Sequence, residues 1–509
     1  MKNMTSVLHY HDRTKHRLSR YAASLGYMDW ATQPNPFRRY EHAPILPLIH
    51  SEITPPYHLL FQKEPLPVAP LCLESLSQLL RYSLGLAAIK SHGGSEWALR
   101  CNASSGNLHP TECYIITPAT LGVCDHATLS HYAPREHALE ILHTYDEPLA
   151  EGTLLLALSS VIWREAWKYG ERCWRYCQLD AGHAYQAIKI ASSMLGWECE
   201  ILSVDTAEIA SLCGLDQHER FDAHERESPD MLLRIGKSNN GVLPITPSLS
   251  YMANTLSPAH HDWPVLEVID RSTHGLYPSV EPLNTIRAVP LPSKSTGEII
   301  LKRRSAQMMD GSAITQEQFR TLLDSSLFCS DTPDVHFILF VHRVEGLEKG
   351  MYAYVRNKNA FASLRDAMDG IFRWEDCGDS LCLLQEGDYR GAAQMISCNQ
   401  EIAKEGAFSF GMLCNFSSSL EKHGAIGYKN LYHQCGAIGQ MLYLEATSLG
   451  LSATGIGCFL DDEFHALLGL RDQRYQSLYH FTIGRAIVDT RITTLKPYSS
   501  ASKRLSSFP

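Results

Sequence analysis

The sequence predicts an α+β fold built from two tandem domains of the same kind. Two segments, LDAGHAYQAIKIASSMLGW (179–197) and HQCGAIGQMLYLEATSLGL (433–451), have the pattern of long, almost wholly apolar helices that end in Leu-Gly. Predicted helices and strands intermix in both halves without the strict alternation that is typical of a parallel sheet. A chain of 509 residues is also long enough to bury more than one core.

The two predicted helices match at glycine and glutamine as well as at apolar positions. The matched pairs are Gly182 with Gly436, Gln186 with Gln440, Leu195 with Leu449, and Gly196 with Gly450. A helix that is apolar on every side belongs in the centre of a domain or in an interface. The alternative explanation is chance similarity between two buried helices, but it accounts poorly for the shared glycine and glutamine.

A second pair of segments supports a duplication. HYAPREHALEIL (131–142) is similar to AYVRNKNAFASL (353–364), at a shorter separation than that of the two helices. The second half must therefore carry extra residues between the two matches. We expect this insertion around RWEDCGDSLCLLQEGDYRGAAQMISCNQ (373–400) and its flanks.

A stretch rich in proline, serine and asparagine separates the two halves. We therefore expect a first domain at 1–240, a linker at 241–297 and a second domain at 298–509. Helical spacing is found in ESLSQLLRYSLGLAAI (74–89) and TQEQFRTLLDSSL (315–327). Strands are predicted at ECYIITP and GTLLLALSSVI in the first half, and at VHFILFVHRV and AFSFGMLCNF in the second.

Composition excludes several classes of function. The formal net charge of −10 does not indicate a basic surface that would bind nucleic acid. No uncharged apolar stretch is long enough to span a membrane, and the N-terminus lacks the apolar core of a secretory signal. These features predict a cytoplasmic protein without nucleic-acid or membrane partners.

Fifteen cysteines are scattered along the chain without the spacing of a zinc site, so no metal centre is predicted. Their odd number and dispersal fit reduced thiols in a cytosol. We expect them to act as small buried side chains. Cys398 follows Ser397, but the sequence places no base beside it, so a structural role is expected for it as well.

The loop NASSGNLHP (102–110), here called the serine loop, contains more polar side chains than a turn requires. Ser104, Ser105 and Asn107 offer hydroxyl and amide groups. Gly106 leaves the backbone bare for close approach. This combination suits a polar ligand that side chains and backbone grip together. The second half has no comparable loop, because LLDSSLFCSDTPD leads straight into a predicted strand.

The second half carries two motifs that the first half lacks. Adjacent guanidinium groups and a hydroxyl group suit a phosphate and neighbouring hydroxyls. They lie in the arginine segment, RRSAQ, whose candidate residues are Arg303, Arg304, Ser305 and Gln307. The glycine segment, within SATGIGCF, lets backbone N–H groups approach a ligand and consists of Gly455, Ile456 and Gly457. Each motif alone is common as surface charge or as a plain turn, but with the serine loop they predict one site shared between the domains.

These motifs resemble those of the nitroreductase-like flavoproteins, and most closely those of the SagB/ThcOx-type dehydrogenases. The resemblance covers nearly the whole chain as two tandem copies. It is carried by TKH (14–16), DWATQPNPFRRYEHAP (29–44), SSGNLHPTE (104–112), WREAWKYGERCWRYCQLDAGH (163–183), RRSAQ (303–307), FVHRVEGLEKGMY (340–352), GQMLYLEATSLGLSATGIGCF (439–459) and QSLYHFTIG (476–484).

The resemblance implies two nitroreductase-like domains that form an intramolecular pseudo-dimer with one FMN site. In the family, an Arg-x-Ser-type segment and a glycine loop of one subunit face a Pro-Ser-Ser-x-Asn-type loop of the other. Here the arginine and glycine segments match the first subunit's part, and the serine loop matches the partner's, with Ala103 in place of the usual proline. The reciprocal site lacks both loops, and we expect it to be degenerate or vacant. Assembly beyond the pseudo-dimer stays open.

In FMN chemistry the hydride is transferred at the flavin N5, and a protein side chain must transfer one accompanying proton. In azoline-oxidising relatives a Lys-Tyr pair is linked to deprotonation, and the matching pair here is Lys168 and Tyr169 in WKYGER. A lysine acts as a base only when its pKa is lowered. The alternative is a salt-bridged lysine beside a core tyrosine. His109, His11 and His16 are further candidates for the pocket lining, and each is also explicable as a structural histidine.

Three functions fit these features. The first is an FMN-dependent oxidoreductase that dehydrogenates a peptide azoline or a small molecule. The second is a reductase that takes electrons from a nicotinamide donor and passes them to nitro, quinone or similar acceptors; nitroreductase-type enzymes need no dinucleotide fingerprint for this. The third is a non-catalytic scaffold, flavin-binding or flavin-free, in a peptide-modifying complex.

Overall fold

The computed structural model describes residues 2–149, 154–236, 243–244, 246, 248–283, 288–290 and 292–498. The elements up to the second domain are α1 (Lys2–Arg13), β1 (Ile45–Pro47), α2 (Leu73–Ser83), β2 (Leu86–His92), β3 (Ser95–Arg100), β4 (Thr111–Thr117), β5 (Thr128–Ala133), β6 (Ala138–Thr144), β7 (Leu154–Val161), α3 (Ile162–Tyr169), α4 (Cys173–Ser193), β8 (Cys199–Ile201), α5 (Thr206–Cys213), β9 (Glu227–Ile235) and α6 (Pro264–Ser272). Those that follow are α7 (Thr296–Lys302), α8 (Gln316–Ser325), β10 (Val335–Val341), β11 (Gly350–Tyr354), α9 (Phe361–Ala367), β12 (Glu375–Asp376), β13 (Leu381–Glu386), α10 (Arg390–Ile396), α11 (Ile402–Glu405), β14 (Phe408–Asn415), α12 (Phe416–His423), α13 (Ala425–Ser448), β15 (Ser452–Ile456), α14 (Asp461–Leu468), β16 (Tyr475–Gly484) and β17 (Thr493–Leu495).

Two seven-stranded sheets form the framework, one in each half of the chain. Their strand orders are β1-β6-β5-β4-β7-β9-β8 and β12-β13-β11-β10-β14-β16-β15. From the second position onward, the two sheets use equivalent strands in the same chain order. The predicted α+β fold of two like units is therefore confirmed. We call the part built on the first sheet the first lobe and the part built on the other sheet the second lobe.

The matched helices α4 and α13 cross at the centre of the molecule, one from each lobe. Gly182 and Gly436 lie at the crossing, where the two backbones touch. A Cβ atom on Gly182 would stand 2.2 Å from the His433 carbonyl oxygen, and one on Gly436 would stand 2.0 Å from the Leu179 carbonyl oxygen. One continuous apolar core includes residues of both lobes. This packing is the intramolecular pseudo-dimer expected from the sequence.

Gly436→Ala is expected to lower the free energy of unfolding by about 1–3 kcal/mol, because the added methyl group overpacks the helix crossing. The matched control is Gly391→Ala on α10, where a Cβ atom would meet nothing within 4 Å. That change should be neutral or slightly stabilising, since alanine favours helix. Urea unfolding measures both variants, and an equal effect of the two substitutions would contradict the tight crossing.

Both ends of the described chain cross to the opposite lobe. At the end of α1, Lys15 Nζ lies 2.8 Å from Asp462 Oδ1 of the second lobe. At the other end, β17 pairs with β2 and completes a three-stranded sheet with β3. The predicted linker contributes α6, which packs beside α1. The domain ranges stay a prediction, and these exchanged ends tie the lobes together.

Most of the predicted elements are confirmed, with one correction. ECYIITP, GTLLLALSSVI, VHFILFVHRV and AFSFGMLCNF form β4, β7, β10 and β14, and TQEQFRTLLDSSL forms α8. The helix predicted over 74–89 is wrong beyond Ser83, because Leu86–His92 pairs with β3 as a strand after Gly85. The extra residues of the second half lie within 373–400 and its flanks, as expected, on both sides of β13. They form α9 with β12 before β13, and α10 with α11 before β14.

The cysteines and the helices of the described residues bear on two further expectations from the sequence. The fifteen cysteines all lie in the described residues and none forms a disulfide bond. Most are buried as expected, whereas Cys398 and Cys458 are half-buried. No helix in the described part of the chain combines the length and the apolar character that crossing a bilayer requires.

Candidate flavin site

The arginine and glycine segments meet around Tyr443, in the C-terminal half of α13. The Tyr443 hydroxyl group lies 2.8 Å from Ser305 Oγ and accepts the backbone N–H of Gly455 at 2.9 Å. Ser305 also forms a parallel β-bridge with Ala453. The two predicted segments of the second lobe therefore lie side by side, joined by a tyrosine that the sequence analysis did not single out.

The serine loop reaches the same place from the first lobe, so that the site lies at a seam between the lobes. Arg303 donates from Nε to the Cys101 carbonyl and from Nη2 to the Arg100 carbonyl, both at 3.1 Å. Gln440 accepts the Ala103 N–H at 3.0 Å and donates to the Cys101 carbonyl at 3.2 Å. The structure thus brings together the three segments that the sequence singled out.

Asp180 on α4 holds the serine loop in place. Its carboxylate accepts the Ser105 backbone N–H at 3.0 Å and the Ser105 hydroxyl at 2.9 Å. Gly106 and Asn107 follow with φ of 58° and 60°, the left-handed conformation that makes a tight turn. Burial raises the pKa of Asp180 to about 7, although hydrogen bonds from Ser104 and Ser105 oppose the rise.

Asp180→Asn is expected to remove part of the pH dependence of stability. The folded protein raises the pKa of Asp180 to about 7 from the ordinary 3.8, so the folded state holds this proton more tightly than the unfolded state. The resulting stabilisation is fully present below the ordinary pKa and is lost as the pH rises through the folded pKa. Urea unfolding across this pH window should show the wild type losing stability relative to the variant as the pH rises. Parallel profiles of the two proteins would contradict this assignment.

The Lys168–Tyr169 pair, at the end of α3, lies against the serine loop. A Cβ atom on Gly106 would be 2.6 Å from the Tyr169 hydroxyl and 3.2 Å from Lys168 Nζ. The Tyr169 ring packs edge-on against Tyr176, with the ring centroids 4.7 Å apart. A Cβ atom on Gly457 would in turn stand 2.4 Å from the Tyr176 ring. The pair therefore lies between the serine loop and the glycine segment.

Lys168 differs from the other cations of its stretch. Arg164 is buried in an ion pair with a glutamate, and Arg172 and Arg175 both pair with Asp461 at 2.9 Å. Lys168 is half-buried and forms no ion pair with any residue that the structure describes. The salt bridge that a purely structural lysine would make is therefore missing from its described surroundings.

Arg303 and Arg304 concentrate positive charge that no carboxylate neutralises within the described ranges. Arg303 is 5% exposed, and its guanidinium lies 5.3 Å from the centroid of the Tyr443 ring. Arg304 donates from Nη1 to the Leu301 carbonyl at 2.9 Å, within its own segment. Burial and the charge of Arg303 lower the pKa of Arg304 to about 10, and burial lowers the pKa of Arg303. Because buried charges require compensation, the pair indicates an anionic ligand.

Bare backbone beside this charge suits the rest of an FMN molecule. A Cβ atom on Gly455 would stand 1.9 Å from the Tyr479 hydroxyl, so only glycine fits there. Ile456 is buried, whereas three residues are exposed at the edge of the seam: Gly106, Ser305 and Gln307. The arginine charge, the hydroxyl groups and the bare backbone match the phosphate, the ribityl chain and the ring edge of FMN. The residues present therefore fit this cofactor.

The three histidine candidates have different surroundings. His11 is buried with a hydrogen-bond partner at each ring nitrogen, which indicates a structural role. His109 belongs to the serine loop, with Nε2 2.9 Å from Asn107 Oδ1, and burial lowers its pKa. His16 lies beyond the glycine segment, next to Cys458.

Two buried carboxyl groups near the Lys168–Tyr169 pair, those of Glu165 and Asp180, were not predicted from the sequence. Glu165 is fully buried, and neither of its oxygens has a hydrogen-bond partner among the residues described. Burial, and then the charge of Asp180, raise the pKa of Glu165 well above its ordinary value. Asp180 could have been noticed, because it is the sole acidic residue of helix α4, which is buried along almost its whole length.

The position related to this site by the repeat is built differently. Lys189 stands where the repeat spacing places Tyr443, and its Nζ lies 3.0 Å from Asp331 Oδ1. Gln186, the counterpart of Gln440, has no partner for Oε1 in the described structure. Lys189 and Asp331 line a cavity of about 230 Å³. The position equivalent to Tyr443 therefore holds a lysine whose charge is already paired with Asp331.

Comparison with known proteins shows what the second lobe and the whole chain are similar to. Residues 300–485 match the model described as the nitroreductase family. Over 187 residues the chain is 22% identical to an inferred nitroreductase of Methanocaldococcus jannaschii, a match that covers 34% of this chain and 84% of that protein. The crystal structure of an inferred nitroreductase from Anabaena variabilis superposes with a TM-score of 0.71, at 22% identity, over 95% of this chain and 99% of that chain. The family match thus covers residues 300–485 of the second lobe, and the whole chain shares the fold of the Anabaena protein.

Proposed function

We propose that this chain is an FMN-dependent oxidoreductase with one flavin site, at the seam between its two lobes. The observation that carries the proposal is the pair of Arg303, which is buried, and Arg304, which is half-buried. The pair has no carboxylate partner in the described structure and lies beside Ser305 and Gly455. An anionic, hydroxyl-rich and flat cofactor meets all of these groups at once. The nitroreductase-family match of residues 300–485 supports the same assignment.

Each predicted segment holds a different part of the cofactor in this proposal. The two guanidinium groups bind the phosphate. The hydrogen-bonding side chains for the ribityl hydroxyls and the ring edge are Ser104, Ser105, Asn107, Ser305 and Gln307. The backbone N–H groups of residues 456 and 457 approach the ring. When bound, FMN supplies hydride transfer at N5.

In this proposal Lys168 and Tyr169 accept and relay the proton that accompanies hydride transfer. The Lys168 amine accepts the proton from the substrate, and the Tyr169 hydroxyl relays or orients it. Their position between the serine loop and the glycine segment supports this role. The raised pKa of Glu165 keeps that carboxyl protonated, so that it does not pair with Lys168 as a carboxylate.

The substrate favoured by this arrangement is a peptide azoline or a small molecule that is dehydrogenated, as in SagB-type enzymes. Azoline oxidation removes a proton as well as a hydride, and the Lys168–Tyr169 pair is assigned the removal of that proton. The exposed edge of the seam, at Gly106, Ser305 and Gln307, supports access by a substrate as large as a peptide.

Anaerobic reduction separates this proposal from its alternatives. Protein loaded with FMN is mixed in separate samples with NADH, with NADPH and with a thiazoline- or oxazoline-containing peptide, and the flavin absorbance is followed. Bleaching by the peptide, with slow or absent bleaching by the nicotinamides, supports the dehydrogenase. Rapid bleaching by a nicotinamide, followed by reoxidation with a nitro or quinone acceptor, would instead assign a nicotinamide-dependent reductase. If none of these compounds reduces the flavin, the non-catalytic scaffold remains as the explanation, and the proposal is contradicted.

A further inference from the structure

Two cysteines from distant parts of the second lobe meet where the glycine segment ends. Cys458 directly follows Gly457, and Cys398 lies in the loop between α10 and α11. A thiol hydrogen bond joins their sulfur atoms, which are 2.9 Å apart. The Leu460 N–H donates to the Ile396 carbonyl at 2.7 Å and ties the two loops together. Because both cysteines are only half-buried, a small molecule can reach them.

A histidine from the N-terminal segment completes the cluster. His16 is hydrogen-bonded to the Cys458 sulfur, and its Nδ1 accepts the backbone N–H of Ala22 at 3.0 Å. With Nδ1 acting as an acceptor, the hydrogen of the neutral ring lies on Nε2, which leaves it available to the sulfur. Arg172 donates to the Gly457 carbonyl at 3.1 Å and adds positive charge. A histidine donor and a nearby guanidinium are surroundings that favour a thiolate.

The two thiols differ in the protonation state that they prefer. The hydrogen bond with Cys398, together with His16, lowers the pKa of Cys458 although burial opposes the change. The same hydrogen bond, together with burial, raises the pKa of Cys398. Burial raises the pKa of the neighbouring Tyr21 to about 12, so its hydroxyl group stays neutral. Cys458 is thus the better nucleophile, and Cys398 retains its proton.

Proximity alone does not set this pair apart. Cys414 and Cys435 also lie close, with their sulfur atoms 3.4 Å apart, but both are fully buried in the core. Cys398 and the following Asn399 have φ of 53° and 61°. Residues other than glycine adopt this left-handed conformation rarely, and only where the surrounding structure holds them in it. The half-buried pair therefore combines access, a polarised sulfur and a constrained turn.

We propose that Cys398 and Cys458 form a redox-active dithiol that reduces low-molecular-weight disulfides and closes into an intramolecular disulfide. The Cys458 thiolate attacks one sulfur of R–S–S–R, the bond between the two substrate sulfurs breaks, and RS⁻ leaves behind Cys458–S–S–R. Cys398 then gives its proton to the departed RS⁻, and its sulfur attacks Cys458 Sγ and expels the second RS⁻. Two electrons pass from the two cysteines to the substrate, which becomes RSH and RS⁻. The protein sulfurs need to approach only from 2.9 Å to about 2.05 Å.

Oxidised glutathione is the probe that tests this dithiol. The purified protein is reduced, freed of reductant, incubated with oxidised glutathione, quenched with acid, alkylated and mapped by mass spectrometry. In the wild type we expect a cross-link between the peptides of Cys398 and Cys458, while Cys414 and Cys435 stay as thiols. In Cys398→Ser, a mixed disulfide with glutathione should accumulate on Cys458. Cys458→Ser should form neither product.

The matched control is Cys124→Ser, which removes a half-buried cysteine of the first lobe and should leave the reaction unchanged. Circular dichroism identifies any variant that does not fold, and the cross-link in the wild type is informative without any variant. A wild type that forms no cross-link would overturn the proposal. So would a Cys398→Ser protein that carries glutathione on other cysteines but not on Cys458. Because no step involves FMN, the outcome is independent of the proposed oxidoreductase activity.

Discussion

Replacing Lys168 by alanine is expected to lower substrate turnover by about a hundred- to ten-thousandfold, the range that a positioned acid or base contributes. Lys168 Nζ lies 3.2 Å from where a Cβ atom on Gly106 would stand, and no described carboxylate pairs with it. FMN content should stay unchanged, because the phosphate is assigned to Arg303 and Arg304. Steady-state turnover and flavin absorbance, measured on the same preparation, check both parts of this expectation.

The matched control for Lys168 is Lys358→Ala, which removes an exposed lysine of the second lobe and should leave turnover as it is. Tyr169→Phe tests the neighbouring hydroxyl while it keeps the ring that packs on Tyr176. Full turnover in Lys168→Ala would remove this lysine from the proposed chemistry. Loss of FMN together with turnover would assign it to cofactor binding instead.

Arg304→Ala is expected to weaken FMN binding ten- to a hundredfold, which corresponds to about 1.5–3 kcal/mol for a lost charge-assisted hydrogen bond. The guanidinium donates from Nη1 to a carbonyl of its own segment and has no carboxylate partner in the described structure. Its remaining donors are therefore available to a phosphate. Titration of cofactor-free protein with FMN, followed by flavin fluorescence, gives the Kd.

Two further variants sharpen the Arg304 test. Arg304→Lys keeps the charge but loses the planar set of N–H donors of the guanidinium group. Its Kd for FMN should lie between those of the wild type and the alanine variant. Arg471→Ala removes an exposed arginine elsewhere in the second lobe and should leave the Kd unchanged. An unchanged Kd in Arg304→Ala would show that the phosphate lies elsewhere.

The fold could be predicted from the sequence wherever the residue pattern of a single element indicates its structure and its place in the core. Helices α4 and α13 are apolar on every side and share spaced glycines, so their central position followed from the chain alone. Strand β2 was missed because its apolar run continues a helical pattern, and its partner β3 becomes evident only in the fold. The insertion was expected in the right region, but its division by strand β13 becomes evident only in the fold.

The candidate site could be predicted only in the parts that have unusual local composition. The serine loop, the arginine segment and the glycine segment each stand out in the sequence. Tyr443 does not, because a tyrosine in an apolar helix is ordinary core until the fold places Ser305 and Gly455 at its hydroxyl. The surroundings of Cys398 were invisible for the same reason, since Cys458 and His16 reach it from distant parts of the chain.

The central claim is that two lobes of one chain enclose a single FMN at their seam. Native mass spectrometry of the protein after incubation with excess FMN tests it most directly. We expect one FMN per chain in the wild type, and a marked loss of this species in Arg304→Ala. A wild type that binds no FMN would contradict the account, and so would one that binds two.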